Sequence, residues 1–548
     1  MLNIPIDTIT KRERNFAGSL TATFDRREKR EKETNPEIHR NGRQNLTSQT
    51  SERNQVAALE SLSKNRLFRF IVNRFTSKQD NHNPPVLLRS LDLMAGEAER
   101  KCLSCWLGSL FLKGVISIGS RSFGTDLKTI KDMLPNIIFR RAMYSVIRGI
   151  GDFGVTKPFV PGTPFQVVWN VTRTCNLRCK HCYENAGRAG PDELTTEQAL
   201  RTIDILADEG VVFIAFSGGE PTLRPDILTL IEHAASRGIY VAIATNATTL
   251  TRPETVKKLK EAGLSFVQIS LDGVNPQTHD EFRGVRGAYD KTITGIKNCV
   301  REDLFVEIAM TVTHYNLREV PAVIDLSQEL GARWFMAYNF IPTGRGSEIV
   351  NADLTPQERE ELLQYLWGKI ISKSDPNMIE VLSTAPQLGR IPLQVSNDDI
   401  GQVVETFDGQ VFPTHFANAR LPAKMEGLAE FIGGCGAGRF YVAIEPNGDI
   451  YPCVFFPHTP QVKVGNILRD DFHTLWTTSQ VLLELRDKDL LQDHCGSCEY
   501  RYVCGGCRAR ALRYNGSYLA PDPGCINNLT EWYKLKGAMK KTEMAKSV

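Results

Sequence analysis

The sequence predicts an α/β protein. Its centre is a partial (β/α)6 barrel of the TIM type, with a mostly helical N-terminal extension and a cysteine-rich C-terminal domain. Three observations carry this. Apolar runs of strand length alternate with helix-spaced segments six times between Pro164 and about residue 370. The strand runs are apolar along their whole length, as parallel strands covered on both faces must be. Seven of the thirteen cysteines fall between Cys435 and Cys525, in a turn-rich stretch.

Composition narrows the class. The 548 residues are 41% hydrophobic and 24% charged, ordinary values for a globular chain with ample length for a core. A net charge of +3 gives no overall signature of nucleic-acid binding, so no nucleic-acid partner is expected. The opening MLNIPIDTITKRER lacks the apolar stretch of an export signal, and Arg26-Arg27 has no apolar run behind it. A cytoplasmic protein is expected, whose cysteines bind metal instead of pairing as disulfides.

Along the chain, residues 1–60 read as a disordered polar tail, having almost nothing apolar to bury. Residues 61–160 read as a helical N-terminal extension. Its most apolar stretch, Cys102 to Gly119, is short for a membrane span and contains Lys113, so a buried helix is favoured over membrane association. The basic amphipathic run from Asn136 is expected to pack on the next domain. Cys102 and Cys105 form a lone pair with no second pair nearby and read as buried thiols.

The barrel core spans 161–345. PFQVVWNVT is the first strand, and TTEQALRTIDILADEG opens with a capping box, Thr195 and Gln198. VVFIAFSGG, YVAIATN, SFVQISLDG, FVEIAMTVT and RWFMAYNFIP are the later strands, separated by helices. In such a barrel the site lies at the carboxyl ends of the strands. Residues 346–430, interrupted by prolines, read as a linker or bridging region. Residues 431–548 form the cysteine-rich domain, ending in a lysine-rich helix from Leu529. Within it VAIEPNGDIYPC reads as a hairpin turning at Asn447-Gly448.

Two motifs at strand ends carry chemistry. TRTCNLRCKHCYE sets Cys175, Cys179 and Cys182 at C-x3-C-x2-C spacing after the first strand. Three thiolates can hold three irons of a [4Fe–4S] cube and leave the fourth open, whereas a structural zinc wants a fourth ligand. After the second strand, Ser217-Gly218-Gly219-Glu220-Pro221 combines close backbone approach with a carboxylate suited to an ammonium group.

Together these motifs resemble the radical S-adenosylmethionine (SAM) superfamily, over roughly residues 164–345. The resemblance implies that Cys175, Cys179 and Cys182 hold a [4Fe–4S] cluster whose open iron SAM chelates. Ser217, Gly218, Gly219 and Glu220 would hold the SAM amino group. Asn246, Ser270 and Asp272, with Thr311 and Thr313, match weaker contacts at later strand ends, where a polar strand cap is the alternative. Arg345 would meet the SAM carboxylate or the substrate, or make a loop hydrogen bond. The implied chemistry is reductive cleavage of SAM to a 5′-deoxyadenosyl radical that takes hydrogen from a substrate, with a ferredoxin or flavodoxin as electron donor. No catalytic acid, base or nucleophile is implied for that step.

The C-terminal cysteines run C435-x12-G448-x4-C453, then C495-x2-C498-x5-C504-x2-C507, then C525. They are similar to the SPASM extension of radical SAM enzymes, which carries two auxiliary [4Fe–4S] clusters. That pattern implies Cys435, Cys453 and Cys507 on the first cluster, and Cys495, Cys498, Cys504 and Cys525 on the second. Seven cysteines are one short of two fully thiolate sites, so the first cluster has an open iron or a non-cysteine ligand. The family implies a ribosomal peptide or a small tetrapyrrole-type cofactor precursor as substrate, the latter on likeness to the haem-forming decarboxylase of iron-coproporphyrin. A non-catalytic iron–sulfur or zinc scaffold is the alternative from another class.

Overall fold

The computed structural model describes residues 64–76, 85–97, 103–122, 127–372, 378–394 and 433–546. The expectations for the 1–60 tail, for Cys102 and for residues 373–377 and 395–430 of the proline-interrupted stretch lie outside these residues.

Helices α1 (Arg66–Thr76), α2 (Val86–Ala95), α3 (Leu103–Ser122), α4 (Leu127–Met133) and α5 (Ile137–Phe153) precede the sheet. They enclose a small core of their own around Leu87, Leu91, Leu112 and Tyr144. The basic residues of α5 have a specific employment. The Arg141 guanidinium donates to Ala207 O and Val211 O, both at 3.1 Å, and to Arg237 O at 2.6 Å. Arg148 pairs with buried Glu209 at 2.8 Å. Ala207, Glu209 and Arg237 lie at the C-terminal ends of helices, where unsatisfied carbonyls and the helix dipole favour a cation, and Val211 lies just before the strand Phe213–Gly218. The extension is therefore moored to the end of the barrel where strands begin, opposite the strand-end loops. Leu103, Trp106, Leu107 and Leu110 remain exposed along α3. Among the described residues, no helix is long and apolar enough to cross a membrane.

The barrel follows as β1 (Gln166–Thr172), α6 (Thr196–Asp208), β2 (Phe213–Gly218), α7 (Ile227–Ser236), β3 (Tyr240–Thr245), α8 (Pro253–Glu261), β4 (Leu264–Ser270), α9 (Pro276–Arg283), α10 (Ala288–Arg301), β5 (Phe305–Val312), α11 (Val320–Glu329) and β6 (Trp334–Asn339). The six expected strands are parallel neighbours in chain order. The capping box at α6 is complete: Gln198 N donates to Thr195 Oγ1, and Thr195 N donates to Gln198 Oε1. Trp169, Phe216, Ile243, Val267 and Ile308 are fully buried between sheet and helices.

The structure differs from the expected linker after β6. Helix α12 (Pro356–Ile371), with its own capping box at Thr355 and Glu358, leads to β7 (Glu380–Ser383), which adds to β6 in parallel. A strand of four residues carries too little periodicity to stand out among prolines. The short α13 (Ile391–Gln394) follows.

The hairpin of β8 (Tyr441–Ile444) and β9 (Asp449–Tyr451) turns where expected, with Gly448 at φ 83°. It is not a separate sheet. β8 pairs in parallel with β1, Val167 opposite Val442, and β10 (Gly465–Asn466) pairs with β9. Among the described residues ten strands thus form one sheet, ordered β10-β9-β8-β1-β2-β3-β4-β5-β6-β7. The remaining helices are α14 (Phe472–Thr478), α15 (Gln480–Arg486), α16 (Asp493–Ser497), α17 (Arg508–Asn515) and α18 (Leu529–Lys546).

Candidate iron–sulfur and cofactor site

The cysteine loop leaves β1 at the carboxyl end of the sheet. Cys179 is buried, Cys175 and Cys182 are half-buried, and none is in a disulfide. Around them pack Leu177, Val285 and Ala288. The loop is tied down from several sides. Arg178 N donates to Arg283 O and Lys180 N to Phe282 O, so the end of α9 pairs with the loop backbone. His181 stacks on Phe282 with ring centres 4.2 Å apart. Leu177 N donates to Cys175 Sγ, and Ala186 N to Cys182 Sγ. Burial pushes the Cys175 thiol up to about 12, and the neighbouring thiols and Glu220 push the same way. Metal binding reverses that preference, because a coordinating thiol is deprotonated outright.

Among the described residues, the group of three His, Cys, Asp or Glu ligand atoms within 4.8 Å of one another is Glu184, Glu445 and His458. The apolar surroundings of the three thiols, with Leu177 N donating to Cys175 Sγ and Ala186 N to Cys182 Sγ, fit thiolate ligands of an iron–sulfur cluster, whose sulfurs accept such hydrogen bonds.

The Ser217–Pro221 turn is built against this loop. Gly219 N donates to Thr172 O, and Glu220 N to Thr174 O, both at 2.8 Å. Gly218 has φ 114°, and a Cβ there would stand 2.5 Å from Thr172 O; at Gly219 it would stand 2.2 Å from Thr174 O. The glycines therefore permit the turn to lie on the cysteine loop's own backbone. Glu220 is fully buried. Its Oε1 accepts from Thr222 N, Thr222 Oγ1 and Thr245 Oγ1, and its Oε2 from Asn246 N. The carboxylate thus ties the β2 turn to the end of β3.

The other expected residues fall at strand ends. Asn246 donates to Asn176 Oδ1 in the cysteine loop. Ser217 shares a hydrogen bond with the Tyr183 hydroxyl. Ser270 is half-buried at the end of β4. Asp272 is fully buried, pairs with Arg283 Nε at 2.6 Å and accepts from Thr311 N. Thr313 bonds to Asn316 Oδ1. Arg345 makes loop hydrogen bonds: Nε donates to Cys179 O at 3.0 Å, and Nη1 to Ala186 O and Asn185 Oδ1. Its guanidinium is engaged by the cysteine loop.

The C-terminal cysteines separate into two neighbourhoods. Cys435, Cys453 and Cys507 share one apolar cluster, and Cys453 is raised by burial, with Cys435 and Cys507 adding to it. Tyr441, buried on β8, donates its hydroxyl to Cys453 Sγ at 2.6 Å, and Phe455 N donates to the same sulfur. Cys504, raised by burial, has Cys525 and Cys495 as its thiol neighbours. Cys498 is half-buried just past α16. Gly506 N donates to Cys504 Sγ, and Asp522 N and Arg508 Nη2 to Cys495 Sγ. Gly505 and Gly506 both take left-handed backbone, which makes the tight x2 spacing possible.

Several residues the sequence reading missed hold these sites. Arg283 donates to Cys179 Sγ at 3.7 Å. Asp522 accepts from Cys507 N and Gln387 Nε2, both at 2.7 Å. Tyr183, Tyr338 and Phe455 make an aromatic group over the strand ends, Tyr183 and Phe455 meeting edge-on at 5.2 Å. Glu184 and Glu445, both sharing Asn170, lie beside them. Cys299 is a buried thiol in α10, away from these groups.

Comparison with known proteins identifies the domains. Residues 169–327 match the family model of the radical SAM superfamily, and residues 435–499 match SPASM, an iron–sulfur cluster-binding domain. The chain is 34% identical over 365 residues to the AdoMet-dependent heme synthase of Methanosarcina barkeri, covering 66% of this chain and 96% of that protein. It is 31% identical over 372 residues to the mycofactocin maturase MftC of Mycobacterium tuberculosis, covering 67% and 84%. Streptococcus suis SuiB, in its crystal structure bound to S-adenosylmethionine, shares the fold with a TM-score of 0.52 at 19% identity, covering 80% of this chain and 92% of that one.

Proposed function

Because the chain belongs to the radical SAM superfamily and carries a SPASM domain, we propose that it oxidises the carboxylate side chain of a tetrapyrrole-type cofactor precursor. The enzyme class follows from the family: a [4Fe–4S]- and SAM-dependent radical oxidoreductase. The bound cluster and SAM supply reductive cleavage to a 5′-deoxyadenosyl radical.

In this reading Cys175, Cys179 and Cys182 hold that cluster. Arg283 and Arg345 keep their loop in place, and Glu220 fixes the turn on which SAM rests. Cys435, Cys453 and Cys507 hold the first auxiliary cluster. Cys495, Cys498, Cys504 and Cys525 hold the second. Tyr183, Tyr338 and Phe455, packed edge to face, offer aromatic surface to a substrate and exclude water from the strand ends. A ferredoxin or flavodoxin supplies electrons in the cytoplasm.

The observation that carries the substrate reading is the similarity spanning nearly the whole heme synthase of M. barkeri. The test is anaerobic incubation of the cluster-loaded protein with SAM, a strong reductant and iron-coproporphyrin. Conversion of propionate to vinyl groups with loss of carbon dioxide is expected. An unchanged porphyrin beside ongoing 5′-deoxyadenosine formation contradicts it. The likeness to MftC favours a second reading, a ribosomal peptide substrate.

A further inference from the structure

Glu184, Glu445 and His458 come from three segments and meet where the end of β1 faces the end of β8. Each offers one ligand atom, and these lie within 4.8 Å of one another. Glu184 is 9% exposed and Glu445 3%. His458, on the loop after Cys453, is open to solvent on one side. Its Nε2 stands 3.2 Å from Glu445 Oε1. Asn170 Nδ2 donates to Glu184 Oε2 and to Glu445 Oε1, each at 3.0 Å.

The charges do not close. Among the described residues, the ion pair recorded for these two carboxylates is the one with His458. Asn170 brings hydrogen bonds but no charge. Glu445 Oε2 is buried with no hydrogen-bond partner. Two carboxylates taken out of water side by side need a proton or a cation between them.

We propose that Glu184, Glu445 and His458 form a mononuclear site for a divalent cation of oxygen and nitrogen preference, such as manganese, ferrous iron or zinc. A dication neutralises both carboxylates and gives the orphaned Glu445 Oε2 a partner. Two carboxylates and one imidazole suit such ions, whereas the cysteine sets select iron–sulfur clusters. Three protein ligands leave coordination positions for water or an acidic group of a bound molecule. The inference stands on these three side chains and is independent of the proposed substrate.

Manganese(II) is the probe, because it prefers carboxylate and imidazole ligands to thiolates. The full chain, with its clusters loaded and oxidised so that they are magnetically silent, is dialysed against manganese chloride. Bound metal is then counted, and its coupling to nitrogen is measured by pulsed electron paramagnetic resonance. The expected result is one manganese per chain with an imidazole nitrogen coupling. His458→Ala, a change at an exposed loop residue, removes the coupling and weakens binding at least tenfold. Glu445→Gln also abolishes binding, with unchanged iron content showing that the protein is folded. No retained manganese overturns the site and leaves a proton-sharing carboxylate pair. Binding and nitrogen coupling unaffected by both substitutions overturn it as well, placing the metal elsewhere.

Discussion

The guanidinium of Arg283 stands 3.7 Å from the sulfur of Cys179 while its Nε pairs with Asp272 at 2.6 Å. One buried cation thus links the middle cysteine of the loop to the end of β4, and through Asp272 to Thr311 on β5. Arg283→Ala leaves Asp272 buried and unpaired. Removing one partner of such a pair costs about 3–5 kcal/mol. The variant is expected to melt well below the wild type and to lose the barrel cluster faster under air. Calorimetry and iron loss monitored at the cluster absorption check this; unchanged melting contradicts the assignment.

Tyr441 gives a second handle, on the first auxiliary set. Its hydroxyl donates to Cys453 Sγ, and hydrogen bonds to cluster sulfur make reduction easier. Tyr441→Phe is expected to shift the midpoint potential of one auxiliary cluster to more negative values, while iron content holds. A redox titration followed by electron paramagnetic resonance reads the shift, and identical potentials refute it.

Glu220 tests whether the second turn is a scaffold as well as a binding element. Glu220→Gln sets an amide donor against Asn246 N or the threonine hydroxyls. An unsatisfied buried donor costs about 1–3 kcal/mol. Lower melting together with weaker SAM binding by calorimetric titration is expected. A loss of SAM affinity at wild-type stability contradicts the scaffold role.

Arg141 probes the N-terminal extension. Hydrogen bonds to charged groups are worth about 1.5–3 kcal/mol each, and Arg141→Ala removes those to Ala207, Val211 and Arg237. Reduced thermal stability is expected, with SAM cleavage per folded molecule unchanged, because the contact lies at the far end of the barrel. Loss of cleavage by fully folded protein refutes this.

The barrel strands were legible because each is mostly apolar, with only isolated polar residues such as Asn170, Gln268 and Glu307, and the helices between them are amphipathic. The cysteine loop and the Ser217–Pro221 turn were legible because their spacing is local. The residues that steady them were not. Arg283 reaches Cys179 across 104 positions, and Asn170 reaches Glu445 across 275. No spacing rule joins such partners; the sheet does, by setting β8 beside β1. The glycines of the turn were read as making room for a ligand, yet the atoms nearest their missing Cβ are carbonyls of the cysteine loop. β7 was hidden for another reason: four residues between a long helix and a proline-rich run show no period to read.

The most direct test of the central claim is a count of 5′-deoxyadenosine. The protein is reconstituted anaerobically with iron and sulfide, given SAM and a strong reductant, and analysed by mass spectrometry beside Cys179→Ala. Formation by the wild type and none by the variant is predicted. Equal formation by both, or none from fully loaded wild type with either a tetrapyrrole or a peptide substrate supplied, would contradict it.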